Sequence, residues 1–336
     1  MGGECSCLRS VYVKDQTAEA NIEQINTSIP DSHTNAMSEA PTDQGAHASH
    51  HQARHKLSSC SSADSVAFDA LCRADKYMEI EEILEPLELL PLTDGVVVKE
   101  EPVQRLPSGA LYKGQWNCQG RIHGVGTELF PNGRKYTGQF KNGVIDGLGR
   151  LIEANGNTYQ GEFLNGKAHG RGVYFELDGV AYEGEFANDL PHGEGLEEYP
   201  DGSLYTGWYH AGKKNGRGEF RWPDGSCYTG CFQDNQFHGR GKYQWVSGKL
   251  YDGNWKLGKM HGAGRMEWPD GRIYIGDFSQ GRKHGHGEFI WPDGRKYIGP
   301  YKDGVEHGEG KLYIANADPS QAEERTVQWQ EGVLVG

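Results

Sequence analysis

The 336-residue sequence has no run of 18 or more apolar residues, so no helix can be written through it that crosses a bilayer. No apolar h-region follows the first methionine, and a secreted product is not expected. Cysteine is sparse and badly spaced for a disulfide framework. The seven thiols at 5, 7, 60, 72, 118, 227 and 231 are odd in number and contain no CxxC pair, which fits reduced thiols in a cytosolic compartment. Basic surplus is also missing. The formal charge is −13, and the first 109 residues hold 18 acidic side chains against 8 basic ones, a poor match to a phosphate backbone, so nucleic acid is not expected as a partner. There is no P-loop, no GxSxG and no Ser-His-Asp order, so no enzyme is expected.

What is abundant is glycine. Its 49 residues are about twice the usual share of roughly 7%. The excess is periodic. Aligned on tyrosine, the chain repeats at Tyr112, Tyr136, Tyr159, Tyr182, Tyr205, Tyr228, Tyr251, Tyr274 and Tyr297, with a first interval of 24 and later intervals of 23. Each unit reads Y-x-G-x-[FWY], a loop often ending in His-Gly, then G-x-G and a turn such as Trp-Pro-Asp-Gly. In "YIGDF" the residues Tyr274, Gly276 and Phe278 alternate and share one face; in "GHGEFIW" so do Gly285, Gly287, Phe289 and Trp291. Glycine recurs too often for a helix. The pattern predicts two strands per unit, with each aromatic ring lying over a neighbouring glycine and each repeat holding the next.

The pattern Y-x-G-x-F-x-x-G-x-x-H-G-x-G-x-x-x-x-x-D-G closely resembles the MORN repeat (membrane occupation and recognition nexus), in nine consecutive copies over residues 110–315. Departures are an extra residue near Cys118, and Asp146 and Asn215 where His is usual. The resemblance implies an all-β fold, an elongated single-layer twisted antiparallel sheet of tandem hairpins, that binds proteins, lipid surfaces or both. It also implies scaffolding roles in the cytoskeleton and at membranes. No kinase domain is expected after the repeats.

Around the array, residues 94–109 read as a degenerate capping hairpin, and 316–336 as a C-terminal loop and a capping strand with Trp329 in the Phe position. Residues 15–64 are polar and expected to be a disordered linker. Within 65–92, the spacing of Tyr77, Ile80, Leu84 and Leu87 predicts a short helix that docks on the sheet or serves a partner. Residues 1–14 fit an acylated anchor. Gly2 and Ser6 match the N-myristoylation pattern, and Cys5 and Cys7 offer palmitoylation, the second lipid that stable anchoring needs.

Three surfaces are candidates for binding. The first is an aromatic groove lined by Tyr205, Tyr228, Tyr251, Tyr274, Tyr297, Phe232, Trp255, Phe278, Trp222, Trp245, Trp268 and Trp291. The second is an apolar patch on the opposite face, Trp208, Ile275, Ile290, Ile298 and Tyr313, suited to a contact or a homodimer. The third is the loop edge with Lys141, Lys167, Lys213, Lys214, Lys259, Arg282 and Lys283, a weaker candidate for acidic phospholipids. The histidines 169, 192, 238, 261, 284 and 307 form a ladder spaced about 9.5 Å apart, too far for a shared metal; each is expected to bond its own loop backbone. No cofactor is implied. The expected function is a non-enzymatic scaffold held at the cytoplasmic face of the plasma membrane or an internal membrane, where its repeats bind a cytoskeletal or signalling protein. The alternatives are a module that reads acidic phosphoinositides directly, or a regulatory subunit of a kinase or phosphatase.

Overall fold

The computed structural model describes residues 62–72, 77, 84, 86–314 and 323–335. Gly2, Cys5, Cys7 and nearly all of the 15–64 linker lie outside them. Apart from the helix Ser62–Cys72, the described residues fold into 22 strands in an open antiparallel sheet of tandem hairpins. The chain divides into two compact units, one ending at Pro191 and the other continuing from His192.

One hairpin explains the rest. Strand Leu250–Lys256 turns through Leu257 and Gly258 into strand Lys259–Glu267. Both turn residues have positive φ, 50° and 75°, the conformation of the tight turn that matches strand twist. The same position elsewhere holds Asn142, Asn165, Asn188, Asp234 and Asp303, residues that tolerate this region. The strands pair Tyr251 with Met266 and Gly253 with Gly264, and the register then slips before Trp255 meets Met260. That bulge absorbs two extra residues of the second strand. It corrects the expected long loop before His-Gly: the connection is two residues long, and the His-Gly pair lies inside the second strand. The other connection is the Trp-Pro-Asp-Gly turn, closed in Trp268–Arg272 by Trp268 N–H to Arg272 O at 2.9 Å and Gly271 N–H to Trp268 O at 2.9 Å.

Ring over glycine is the packing rule. A Cβ built on Gly264 would stand 2.5 Å from Tyr251 Cε2, and one on Gly253 would collide with the Tyr251 hydroxyl. The ring therefore occupies the space two side chains would fill. Its hydroxyl donates to the Asn254 carbonyl at 2.8 Å. That carbonyl sits at the bulge, where the ladder is broken. The equivalent bond recurs from Tyr112 (to Gln115 O, 3.0 Å) to Tyr274 (to Asp277 O, 3.0 Å). It gives a reason for tyrosine rather than phenylalanine.

Edge-to-face contacts link the repeats. In the second unit Tyr228, Trp255, Tyr251, Phe278, Tyr274 and Tyr301 follow one another with centroids 5.0–5.5 Å apart. The series ends on Trp329, 5.9 Å from Tyr297, in the position expected of it. In the first unit Tyr112, Phe140, Tyr136, Phe163, Tyr159 and Phe186 do the same. Each such pair contributes about 0.5–1.5 kcal/mol beyond its buried area.

The ends differ from expectation in detail. Residues 94–109 form one strand, Val98–Arg105, bulged and paired to Leu111–Asn117, rather than a hairpin. At the other end Glu323–Gln330 and the short Val333–Leu334 make a small hairpin where a lone strand was expected. The helix begins earlier than predicted, at Ser62, and residues 86–93 have no regular structure.

Candidate binding surfaces

The tyrosine face is built from the inside. Tyr205, Tyr228, Tyr251, Tyr274 and Tyr297 are all 0% exposed, and Phe232, Trp255 and Phe278 are buried with them. A second storey covers the rings. Phe237 stacks on Tyr228 with centroids 3.7 Å apart at 15°, and Met260 and Lys283 hold the same place in the following repeats. The twelve residues predicted to line a groove are therefore divided. Eight form the packed interior, and Trp222, Trp245, Trp268 and Trp291 remain half-buried at the turn edge.

In the repeat before these the second storey is also charged, and here it is fully buried. Lys214 stands where Phe237 stands in the next repeat, and is 0% exposed. Its Nζ lies 2.5 Å from Glu197 Oε2 and 2.6 Å from the Tyr199 hydroxyl, and Tyr199 and Tyr209 both donate to Glu197, at 2.5 and 2.7 Å. Three rings, Tyr199, Tyr205 and Tyr209, surround the ammonium at 5.1–5.7 Å. Burial, then the Glu197 charge, pushes both the Tyr199 and Tyr209 phenols far above the usual range. Lys214 was placed on the loop edge by sequence; it is a core residue instead, because the tight turn puts it inside the second strand. Lys283 is likewise turned onto the aromatic face, 4.9 Å from the Tyr301 centroid.

The turn edge of the second unit interleaves cations with the half-buried tryptophans. Lys249 lies 4.6 Å from the Trp245 centroid and 5.5 Å from that of Trp268; Arg272 lies over Trp268 and Arg295 over Trp291. Arg272 and Arg295 each bond the aspartate of their own turn, Asp270 and Asp293, at 2.7 Å.

The opposite face of the first unit is covered by the chain itself. Leu111, Leu129 and Ile152 each precede a repeat tyrosine or pair with the residue that does, so they point away from the tyrosines. Phe68 of the helix packs with Val103, Leu111 and Leu129. Tyr77 and Leu84 pack on Ile152. Polar contacts fix the path: Arg105 to Asp64 at 2.6 Å, Tyr77 hydroxyl to Gly133 O at 2.7 Å, and Gln139 Nε2 to Leu90 O at 2.7 Å. The segment thus docks, but on the side away from the aromatic ladder.

On that face of the second unit the predicted apolar residues are separate features. Trp208 is 51% exposed and Ile275 40% exposed; Ile290, Ile298 and Tyr313 are half-buried. Glu288 pairs between Ile275 and Ile298 and takes Lys296 at 3.4 Å, while Lys296 lies over Tyr313 at 4.8 Å. Trp208 is three repeats away from Ile275.

At two histidine positions the ring reaches across repeats. His123 Nδ1 accepts from Asn142 N–H at 3.2 Å and His307 Nδ1 from Glu331 N–H at 3.5 Å. Asp146, in the same slot, accepts from Asn165 N–H at 3.2 Å. Among the described residues no group of His, Cys, Asp or Glu is arranged to hold a metal.

These features define a class: a repeat scaffold, a binding protein whose tandem hairpins support surface side chains of varied kind. A family model for the MORN repeat matches residues 112–133, 136–158, 159–175, 182–204, 205–227, 228–249, 251–271, 274–294 and 297–318, and the chain belongs to that family. No curated protein sequence matches it. Among solved structures, it is similar to the TCP10 domain of Danio rerio CPAP in complex with a STIL peptide, at 15% identity and a TM-score of 0.37, over 69% of this chain and 100% of that one. It is also similar to the Drosophila melanogaster SAS-4 (dCPAP) TCP domain in complex with a proline-rich motif of Ana2, at 11% identity and a TM-score of 0.28, over 65% and 99%.

Proposed function

We propose that this protein is a non-enzymatic scaffold, anchored by acyl groups on Gly2 and on Cys5 or Cys7 at the cytoplasmic face of a membrane, and that its repeats recruit a cytoskeletal or signalling protein there. One observation carries the recruiting role. The tyrosines and glycines that recur are consumed in holding repeat to repeat, whereas many of the positions that vary stand at the surface. The position after each tyrosine, for example, holds Thr206, Thr229, Asp252, Ile275 and Ile298 in successive repeats of the second unit, facing away from the ring ladder. Such a surface can specify a partner without disturbing the support beneath it. The anchor is supported by the sequence MGGECSC and by energetics: one myristoyl chain binds membranes marginally, with a constant of about 10⁴ M⁻¹, and a second acyl chain makes attachment stable.

Fractionation and proximity labelling test both halves. Gly2→Ala is expected to move the protein to the soluble fraction, and Cys5→Ser/Cys7→Ser to leave weak, exchanging binding. The set of labelled neighbours should change from membrane-proximal to soluble proteins while the direct partner is retained. Unchanged membrane fractionation of Gly2→Ala removes the anchor. Flotation of unacylated protein with anionic vesicles would replace recruitment by direct lipid reading.

A further inference from the structure

We propose that the notch formed by Trp245, Lys249 and Trp268 in the second unit receives a carboxylate side chain of a protein partner. The partner rests on the scaffold reading above; the notch stands on its own geometry. Lys249 is 9% exposed, its ammonium lies over both indoles, and that ammonium has no hydrogen-bond or ion-pair acceptor among the described residues.

The repeats provide their own comparison. The residue two before each tyrosine faces this edge. In the sibling turns its charge is answered in one of two ways. Arg272 and Arg295 bond the aspartate of the Trp-Pro-Asp-Gly turn, Asp270 and Asp293. Arg134 of the first unit lies over Phe130 and forms an ion pair with Glu153, which comes from the next repeat, at 3.1 Å. Lys249 has lost both answers. Its turn reads Trp-Val-Ser-Gly, so Ser247 stands where the aspartate would be, and Trp268 stands where Glu153 stands relative to Arg134. The Arg134 pair demonstrates that a notch of this design accommodates a carboxylate beside the cation. An ammonium buried among aromatics without an anion is unfavourable. Consistent with that, burial and the nearby charges of Arg272 and Lys283 bring the Lys249 pKa down to about 8.

Charge selects the ligand. Asp270 pairs with Arg272 and Glu306 partly offsets Lys283, so Lys249 is the cation here without an acid of its own. One monoanionic carboxylate matches it; a phosphate dianion would meet Asp270 without a second free cation. Val246, 67% exposed beside the notch where sibling turns carry proline, gives an apolar shoulder for the residue next to the acid.

The test uses the full chain and the indole N–H resonances of Trp245 and Trp268, titrated with the amidated tripeptides N-acetyl-Leu-Glu-Leu, Leu-Gln-Leu and Leu-phosphoserine-Leu. The glutamate peptide is expected to shift both resonances saturably, and the glutamine peptide to bind at least about fivefold more weakly, the difference one charge-assisted hydrogen bond makes at a partly exposed site. Ser247→Asp, which restores the residue of the sibling turns, should fill the notch and abolish the response, as should Lys249→Met. Absence of a saturable shift, or an undiminished shift in Ser247→Asp, overturns the proposal. Tighter binding of the phosphoserine peptide, or a larger response to phosphatidylserine vesicles than to the glutamate peptide, would overturn the choice of carboxylate. None of these outcomes bears on recruitment itself, which proximity labelling decides separately.

Discussion

The ring-over-glycine rule makes a sharp prediction at Gly264. This glycine has ordinary strand dihedrals, so alanine there meets no backbone strain, and the whole cost is steric. The new Cβ would lie 2.5 Å from Tyr251 Cε2 and 2.6 Å from its hydroxyl. Reaching ordinary contact requires the ring to move by about 1 Å, and Tyr251 is 0% exposed, between Trp255 at 5.2 Å and Phe278 at 5.0 Å. Overpacking of this kind costs about 1–3 kcal/mol. Displacing the hydroxyl strands the Asn254 carbonyl, about 1–3 kcal/mol more, and loosens two edge contacts worth about 0.5–1.5 kcal/mol each. Because these losses overlap, we expect roughly 3–5 kcal/mol in total. Gly225→Ala is the control. Gly225 has φ +91°, and a methyl group there would have nothing within 4 Å, so alanine should cost about 1–2 kcal/mol, all of it conformational. Native-state hydrogen exchange reads the effect locally: Gly264→Ala should collapse protection in 250–256 and 259–267 and weaken it in the adjoining hairpins, as nearest-neighbour coupling requires. If Gly264→Ala costs no more than Gly225→Ala, the ring does not need the glycine and the packing rule fails.

Other expectations follow from the buried polar groups and the docked segment. Glu197→Gln leaves the Lys214 ammonium buried without the Glu197 charge and should destabilise the second unit by about 3–5 kcal/mol in denaturant titration, whereas Glu197→Leu with Lys214→Met, Tyr199→Phe and Tyr209→Phe, which removes the network together, should come within about 1–2 kcal/mol of the parent. Tyr251→Phe keeps the ring and drops the bond to Asn254 O, and should cost about 1–2 kcal/mol by the same measurement. Burial holds the Glu128 carboxyl up at about 7. Between its ordinary value and pH 7 the folded chain keeps a proton the unfolded chain has released, so stability should fall as pH rises through that window, by on the order of 2 kcal/mol. Urea midpoints of Glu128→Gln against pH should lose this slope. Phe68→Ala should free the helix Ser62–Cys72, seen as accelerated proteolysis between 62 and 84, while hydrogen exchange of residues 250–302 stays unchanged.

Much of this architecture was legible because its period is strict. Tyrosine every 23 residues, with glycine two positions on, specifies alternation, hairpins and a ring-on-backbone contact before any coordinates. The connections were not legible. His-Gly reads as the end of a loop because glycine usually marks turns, but the bulge opposite Gly253–Trp255 takes up the two spare residues and lets Leu257-Gly258 close the hairpin. A bulge leaves no mark on composition. The same oversight hid the hydroxyl's role, since the carbonyl it bonds is freed by the bulge. It also put Lys214 and Lys283 on a loop edge when both belong to a strand. The docked segment was partly foreseen: Tyr77 and Leu84 had helix-like spacing, but nothing in a one-dimensional pattern says which face they choose. Leu111, which precedes Tyr112, and Leu129 and Ile152, which pair with the residues preceding Tyr112, Tyr136 and Tyr159, are the available signal, because an exposed face has no reason to hold them.

Departures from a repeat can be sorted by whether the chain answers them. Glu197 and Lys214 both break an apolar position on the tyrosine face, and they break it together, one ion meeting the other at 2.5 Å. Arg134 brings a charge to the turn edge, and Glu153 of the next repeat meets it. Asp146 replaces a histidine and accepts the same inter-repeat bond. A compensated departure leaves the energy of the folded chain nearly unchanged, so it can drift into an array as architecture. An uncompensated one keeps its desolvation cost in every molecule of the free protein. Ser247 and Lys249 are of that second kind: serine stands in the aspartate position, the cation has no acid beside it, and the facing position is tryptophan. A cost that the fold does not offset is one that a ligand can, and for that reason the unmatched lysine, rather than the more conspicuous stripe of buried tyrosines, marks where this array should meet its partner.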